Sequence, residues 1–224
     1  MDDKNDVRVS VEEFINVARE SKIIIYTDGS RDPVRRRAGF GVYIEQLEIK
    51  LCVRITDESS VFTTELVAIL WALGWVERER PKEVLICSDS AAALQAIETG
   101  KSKARPDIVS EIREVLYRVK DCEITFCWVP GHAGVEGNER VDILAKESLD
   151  REMENHLPLG RVELRGMIKE ALMRAWQAGW ESETKGRHFH LLQPNIGNNC
   201  NCNTASRRDQ VKLCRLRLGA LWTK

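Results

Sequence analysis

No stretch of this sequence approaches the roughly 18 consecutive apolar residues that a membrane span requires, so no membrane partner is expected. The opening segment, MDDKNDVRVS, is acidic and polar and lacks the apolar run of a secretory signal. Cysteine comes in an odd number, seven, scattered over strand-like and loop-like segments. That argues against a disulfide framework and for a reducing intracellular compartment, nucleus or cytoplasm. There is no internal repeat, and a monomer is expected. Charge is what the chain has in quantity: 31% of residues are charged and 43% hydrophobic, enough for a core in a chain of 224 residues. The net charge of −1 hides an asymmetry. Residues 1–150 hold 21 Lys and Arg against 28 Asp and Glu, whereas residues 151–224 hold 13 against 7. A basic tail of this kind either meets polyanions or is simply a solvated surface.

Hydrophobic periodicity divides the chain into elements. Val11, Phe14, Ile15 and Ala18 recur at helical spacing after a candidate cap at Ser10. KIIIYTDGS reads as a buried strand that ends on Asp28, and GFGVYIE and IKLCVRIT continue it as a meander. SSVFTTELVAILWALGWVERER is a long helix stopped by Pro81. EVLICSD is a strand ending on Asp89, and a short helix closed by Gly100 follows it. DIVSEIREVLYRVK predicts a helix, EITFCWVPG a strand and EGNERVDILAKESLDREM another helix. This order implies a mixed α/β sheet whose later strands join through right-handed crossovers. We read residues 1–21 as an N-terminal helical extension, 22–150 as the main domain, 151–160 as a linker and 161–224 as a basic helical extension. His188, His190, Cys200 and Cys202 are numerous enough to bind zinc, but Cys-x-Cys in an Asn-rich loop is a weak zinc pattern.

Why should a buried strand finish on a carboxylate? Alternation places Ile24, Tyr26 and Asp28 on one face, and Leu85, Cys87 and Asp89 on one face of the fourth strand. The first strand should pair antiparallel with the second and parallel with the fourth, which makes their gap a topological switch point. Ligands bind at the carboxyl ends of strands at such a point. One terminal Asp is a turn; two side by side are a site. Glu65 and Asp142 each interrupt an otherwise apolar helical stretch. Glu139 either shares the face of Asp142 or serves the helix dipole. Each acid alone has an ordinary structural explanation, but the four converging acids do not. Such a group needs cations, and hard Mg²⁺ or Mn²⁺ suits oxygen ligands. A pair of ions could activate a water and stabilise the leaving oxygen of a phosphoryl displacement. Zinc is disfavoured, since His132 is the one histidine near these acids in the sequence and Cys87 reads as a small apolar strand residue.

YTDGS, TTELVAILWAL, CSDS and WVPGHAGVEGNERVDILAKES together resemble ribonuclease H, type 1, over residues 22–150. The resemblance implies a five-stranded mixed sheet, its first three strands antiparallel and its last two parallel to the first, flanked by helices and followed here by a helical C-terminal extension. It also implies endonucleolytic cleavage of the RNA strand of an RNA–DNA hybrid, leaving a 3′-hydroxyl and a 5′-phosphate. Carried onto this chain, Asp28 bridges two Mg²⁺ ions, for which Mn²⁺ can substitute. Asp89 completes the ion that activates water, and Glu65 and Asp142 complete the other. His132, in a loop between Gly131 and Gly134, aids proton transfer or product release. Substrate contacts are implied at Gly29, Ser30, Ser60 and Asn138. Arg35 and Arg36, with Arg31 and Arg37, read either as phosphate contacts or as an exposed loop. The chain departs from the family where Val34, Val61 and Phe62 replace polar substrate contacts, and it keeps only KSKAR of a basic protrusion. These motifs, with AWQAGWESE and RRDQVKLCRLRLG, also resemble the end of non-LTR retrotransposon polyproteins. That implies a reverse transcriptase partner, and a fragment, truncated copy or derived gene. Two other classes stand beside the nuclease: a binding module with little turnover, and a DNA-cutting or DNA-joining relative of the fold.

Overall fold

The computed structural model describes residues 3–185, 187–197 and 206–217. Its first compact unit spans Met1–Glu163 and its second Leu164–Lys224. The first begins with α1 (Asp3–Ala18), β1 (Ile23–Asp32), β2 (Arg37–Ile44), β3 (Ile49–Ile55) and the long helix α2 (Val61–Glu79). It continues with β4 (Glu83–Ser88), α3 (Ala91–Thr99), α4 (Pro106–Arg118), β5 (Glu123–Trp128), α5 (Glu136–Ser148) and β6 (Met153–Asn155). Helix α1 runs through Ser10 rather than starting there, and its Ile15 and Ala18 are buried.

The sheet order is β5-β4-β1-β2-β3-β6. β1, β2 and β3 form the expected antiparallel meander, and β4 and β5 join parallel to β1. The sheet has six strands, not five. The extra strand is β6, in the segment read as a linker, and it pairs parallel with β3 through Arg54–Met153 and Ile55–Asn155. Its sequence, Met-Glu-Asn, is too short to show alternation. A neighbouring main chain with free hydrogen-bonding groups, not its own pattern, makes it a strand. Thr56 Oγ1 fastens the same segment by accepting from Leu157 N at 2.7 Å and donating to Leu157 O at 2.8 Å.

Both faces of the sheet are covered, which is why β1 reads as a continuous apolar run. Ile25, Phe40, Val53, Leu66, Leu73 and Ile112 lie in the core under α2, α3 and α4. Ile15, Ile24, Tyr26, Leu85, Cys87 and Val141 form the core under α1 and α5. Each fully buried Ile or Leu contributes about 1.5–3 kcal/mol, so this two-sided packing dominates the stability of the sheet. Among the described residues no helix is long and apolar enough to cross a membrane.

The second unit contains most of α6 (Arg161–Ser182), with α7 (Arg187–Leu192) and α8 (Arg207–Arg217). Within it, Trp180 packs edge-on against Phe189, ring centroids 5.9 Å apart, and donates from Nε1 to Gln193 O at 3.0 Å. Cys200 and Cys202, half of the weak zinc pattern, lie outside the described residues.

Candidate active site

The parallel register of β1 and β4 places Thr27 opposite Ser88. The next residue on each strand is an aspartate, so Asp28 and Asp89 emerge side by side at the carboxyl edge. Two glycines then let the helices approach. A Cβ at Gly29 would lie 2.3 Å from Thr64 Oγ1 and 2.6 Å from the Glu65 amide, so only glycine admits α2 against β1. On β2, Gly41 pairs with Asp28, and a Cβ there would lie 2.8 Å from the Ala145 amide of α5. Glu65 arrives from one face of the sheet and Asp142 from the other.

The structure brings these acids together as two groups. One carboxylate oxygen from each of Asp28, Glu65 and Asp89 lies within 4.8 Å of the others. A second group, within the same reach of one another, is His132, Glu139 and Asp142. Asp28 is 7% exposed and Glu65 5%. Glu65 Oε2 is buried without any hydrogen-bond partner. Such an orphan is costly, and each buried unsatisfied atom demands a physical explanation.

Electrostatics follows from this crowding. Burial, reinforced by the charges of Asp89 and Asp142, pushes the Asp28 carboxyl up to about 7, against which the Gly29 amide donates to Oδ1 at 2.8 Å. Burial, then Asp28 and Asp89, drives Glu65 well above the usual carboxylate range. Asp89 also rises through burial and Asp142, moderated by His132 and by a hydrogen bond from Asn138. Three carboxyls that resist ionisation form a donor set that fits a hard divalent cation. In the second group, Lys146 Nζ donates to Asp142 Oδ2 at 2.6 Å.

The other expected residues have their own engagements. His132 is exposed on the loop between the buried Val129 and Val135, with φ of 52°. Asn138 is buried beside Asp89, and its Oδ1 has no partner. Gly29 serves the approach of α2, and Ser30 pairs with Gly39 within the hairpin. Ser60 is the N-cap of α2, its Oγ accepting from Thr63 N at 3.2 Å. Arg35 bridges Asp32 and Asp150, and Arg36 pairs with Glu58. Three contributors escaped the sequence reading. Lys146 was visible as an i,i+4 partner of Asp142. Trp128, whose indole Nε1 donates to Asp89 O at 3.0 Å, and Glu163, described below, had no local signal of their role.

A mixed sheet that gathers carboxylates where the parallel pairing of β1 and β4 ends, with β1 running on to Asp32 against β2, in a set suited to divalent cations, has the layout of a metal-dependent nuclease. A family model described as RNase H matches residues 20–150, more than half of the chain. The chain belongs to the RNase H family.

Proposed function

We propose that this protein is an endonuclease that hydrolyses the RNA strand of RNA–DNA hybrids with two Mg²⁺ ions, leaving 3′-hydroxyl and 5′-phosphate ends. The observation that carries this reading is the buried Asp28, Glu65 and Asp89 set with its unpartnered Glu65 oxygen. Asp28 is central to the reading: the charge of Asp89 raises it and its own charge raises Glu65, so these three carboxyls together would hold the cations. Divalent ions held by these carboxylates and by Asp142 would lower the pKa of an attacking water and offset charge on the leaving oxygen.

The remaining side chains have roles of their own. His132, exposed and next to Asp142, can accept a proton at a ring nitrogen and pass it to solvent as products leave. Lys146 pairs with Asp142 Oδ2, an oxygen that a divalent cation would have to share or take from it. Main-chain amides along the substrate face would read 2′-hydroxyls in a wide minor groove. The RRDQVKLCRLRLG and AWQAGWESE motifs support an origin in a non-LTR retrotransposon, with a reverse transcriptase as the partner that makes the hybrid substrate.

The Lys146–Asp142 ion pair and the self-paired Arg35 and Arg36 favour a second reading, a nucleic-acid-binding module with little turnover. One assay separates the two: incubation with Mg²⁺ and labelled hybrid, duplex DNA or duplex RNA. Hybrid-only cleavage that disappears in Asp89→Asn supports the nuclease. Tight hybrid binding with no product supports the module.

A further inference from the structure

Helix α2 carries Glu65 but has no acidic residue in its own first turn. The missing charge comes from 103 residues away, where Glu163 Oε1 accepts from Ser60 N at 2.7 Å. The same oxygen accepts from Thr63 Oγ1 at 2.6 Å. Its other oxygen, Oε2, accepts from Gly160 N at 2.5 Å, the return bond of a capping box at the start of α6. Arg105 Nη1 lies 3.8 Å from Oε2, and the Arg105 and Glu163 side chains are 1% and 4% exposed. One carboxylate thus caps two helices. Burial pushes the Glu163 carboxyl up, but the Ser60 and Gly160 amides and the Thr63 hydroxyl outweigh it and hold it below the usual range.

The first turn of α2 is where this matters. Thr63 is two residues before Glu65, and Thr64 and the Glu65 amide rest on Gly29, the neighbour of Asp28. A rotation or lift of that turn would move the Glu65 carboxylate relative to Asp28. Ser60 and Thr63 cannot prevent it alone, since their mutual hydrogen bond at 3.0 Å turns with the helix. Glu163, anchored to Gly160 and beside Arg105, fixes the turn from outside.

We propose that Glu163 is a positioning residue for Glu65: by gripping Ser60 and Thr63 it sets the spacing of the carboxylates and hence their affinity for divalent cations. This rests on the nuclease reading above for its consequence in turnover, but not for its consequence in cation binding. The residue belongs to the segment after β6 and is the last residue of the first compact unit.

The test uses the full chain and three variants, Glu163→Ala, Glu163→Gln and Thr63→Val. Cation binding is read by calorimetry with Mg²⁺ and Mn²⁺ alone, and turnover by kcat and KM on hybrid. We expect Glu163→Ala to weaken cation binding about 10-fold and to lower kcat by a similar factor, the usual scale for losing a group that orients a ligand. KM for hybrid stays within about twofold, because the lost interaction orients reacting groups rather than binding the duplex. Glu163→Gln keeps an oxygen for Ser60 and Thr63 and recovers most of the loss. Thr63→Val reproduces a part of it without touching Glu163, and it carries the test if Glu163→Ala does not fold. Wild-type cation affinity in both Glu163→Ala and Thr63→Val, or in Thr63→Val alone where Glu163→Ala does not fold, with only a lowered Tm, overturns the proposal and leaves Glu163 as a staple. Weakened cation binding in a protein that never cleaves hybrid sinks the nuclease reading and leaves the positioning role standing.

Discussion

Glu65 is a buried residue and Glu163 a half-buried one whose side chain is enclosed, and they differ in every partner. Glu163 receives donors on both oxygens and lies beside Arg105. Glu65 has an oxygen with no partner and two carboxyls as neighbours. The first is held below the usual carboxylate range and the second well above it. Burial of a carboxylate therefore does not mark a site; burial without compensation does. Glu163 stabilises the fold at no cost in function. Glu65 burdens it with an uncompensated buried carboxyl, which is the behaviour expected of the cation ligand proposed above.

The largest effect that would sharpen this contrast is catalytic. Asp89→Asn should lower single-turnover hybrid cleavage by about 10³-fold, as loss of a preorganised electrostatic partner does. Cleavage at near wild-type rate in that variant would break the comparison at its first step, because the crowded carboxyls would have no catalytic purpose. Next in size is stability. Glu163→Ala leaves Arg105 short of a carboxylate and the Ser60 amide unpaired, a loss of about 3 kcal/mol. Calorimetric Tm should fall by roughly 6–12 °C at the ~2–4 °C per kcal/mol typical of such domains.

The two acids should also give opposite pH slopes. Asp28 titrates near 7 when folded, against about 3.9 unfolded. With metal removed by EDTA, the folded state keeps the extra proton, so the stabilisation is complete below about pH 4 and is lost as pH rises through 7. Glu65 adds to the same slope. Glu163 works the other way: its contribution is present above the unfolded value of about 4.3 and is lost as pH falls through its lower folded value. Chemical denaturation from pH 4 to 8 should show falling stability in EDTA and a flatter profile in Mg²⁺. A flat profile in EDTA would mean that the carboxyls do not strain the fold. Glu65→Gln should raise the metal-free Tm by ~2–4 °C, the equivalent of about 1 kcal/mol.

The smallest effect concerns Asp142, whose Lys146 partner is 59% exposed. Exposed ion pairs contribute about 0–1 kcal/mol, so Lys146→Ala should leave Tm nearly unchanged while tightening Mg²⁺ binding by about twofold. A large drop in Tm would show that Asp142 belongs with Glu163 as a compensated structural acid, not with Glu65.

Much of this was determined by the sequence alone. Apolar runs that reach Asp28 and Asp89 point to parallel strands delivering carboxylates to one edge, because period-two alternation puts both acids on strand faces; either Asp alone reads as a turn, and the pair carries the signal. Glu65 and Asp142 were legible for the converse reason, as charges interrupting apolar helical faces. Only the tertiary structure decided the rest. It grouped Asp142 with His132 and Glu139, recruited Met153–Asn155 as a sixth strand, and brought Glu163 to the end of α2. Those outcomes depend on hydrogen-bonding groups left open on distant elements, and a local pattern of apolar and polar residues holds no record of which partner will fill them.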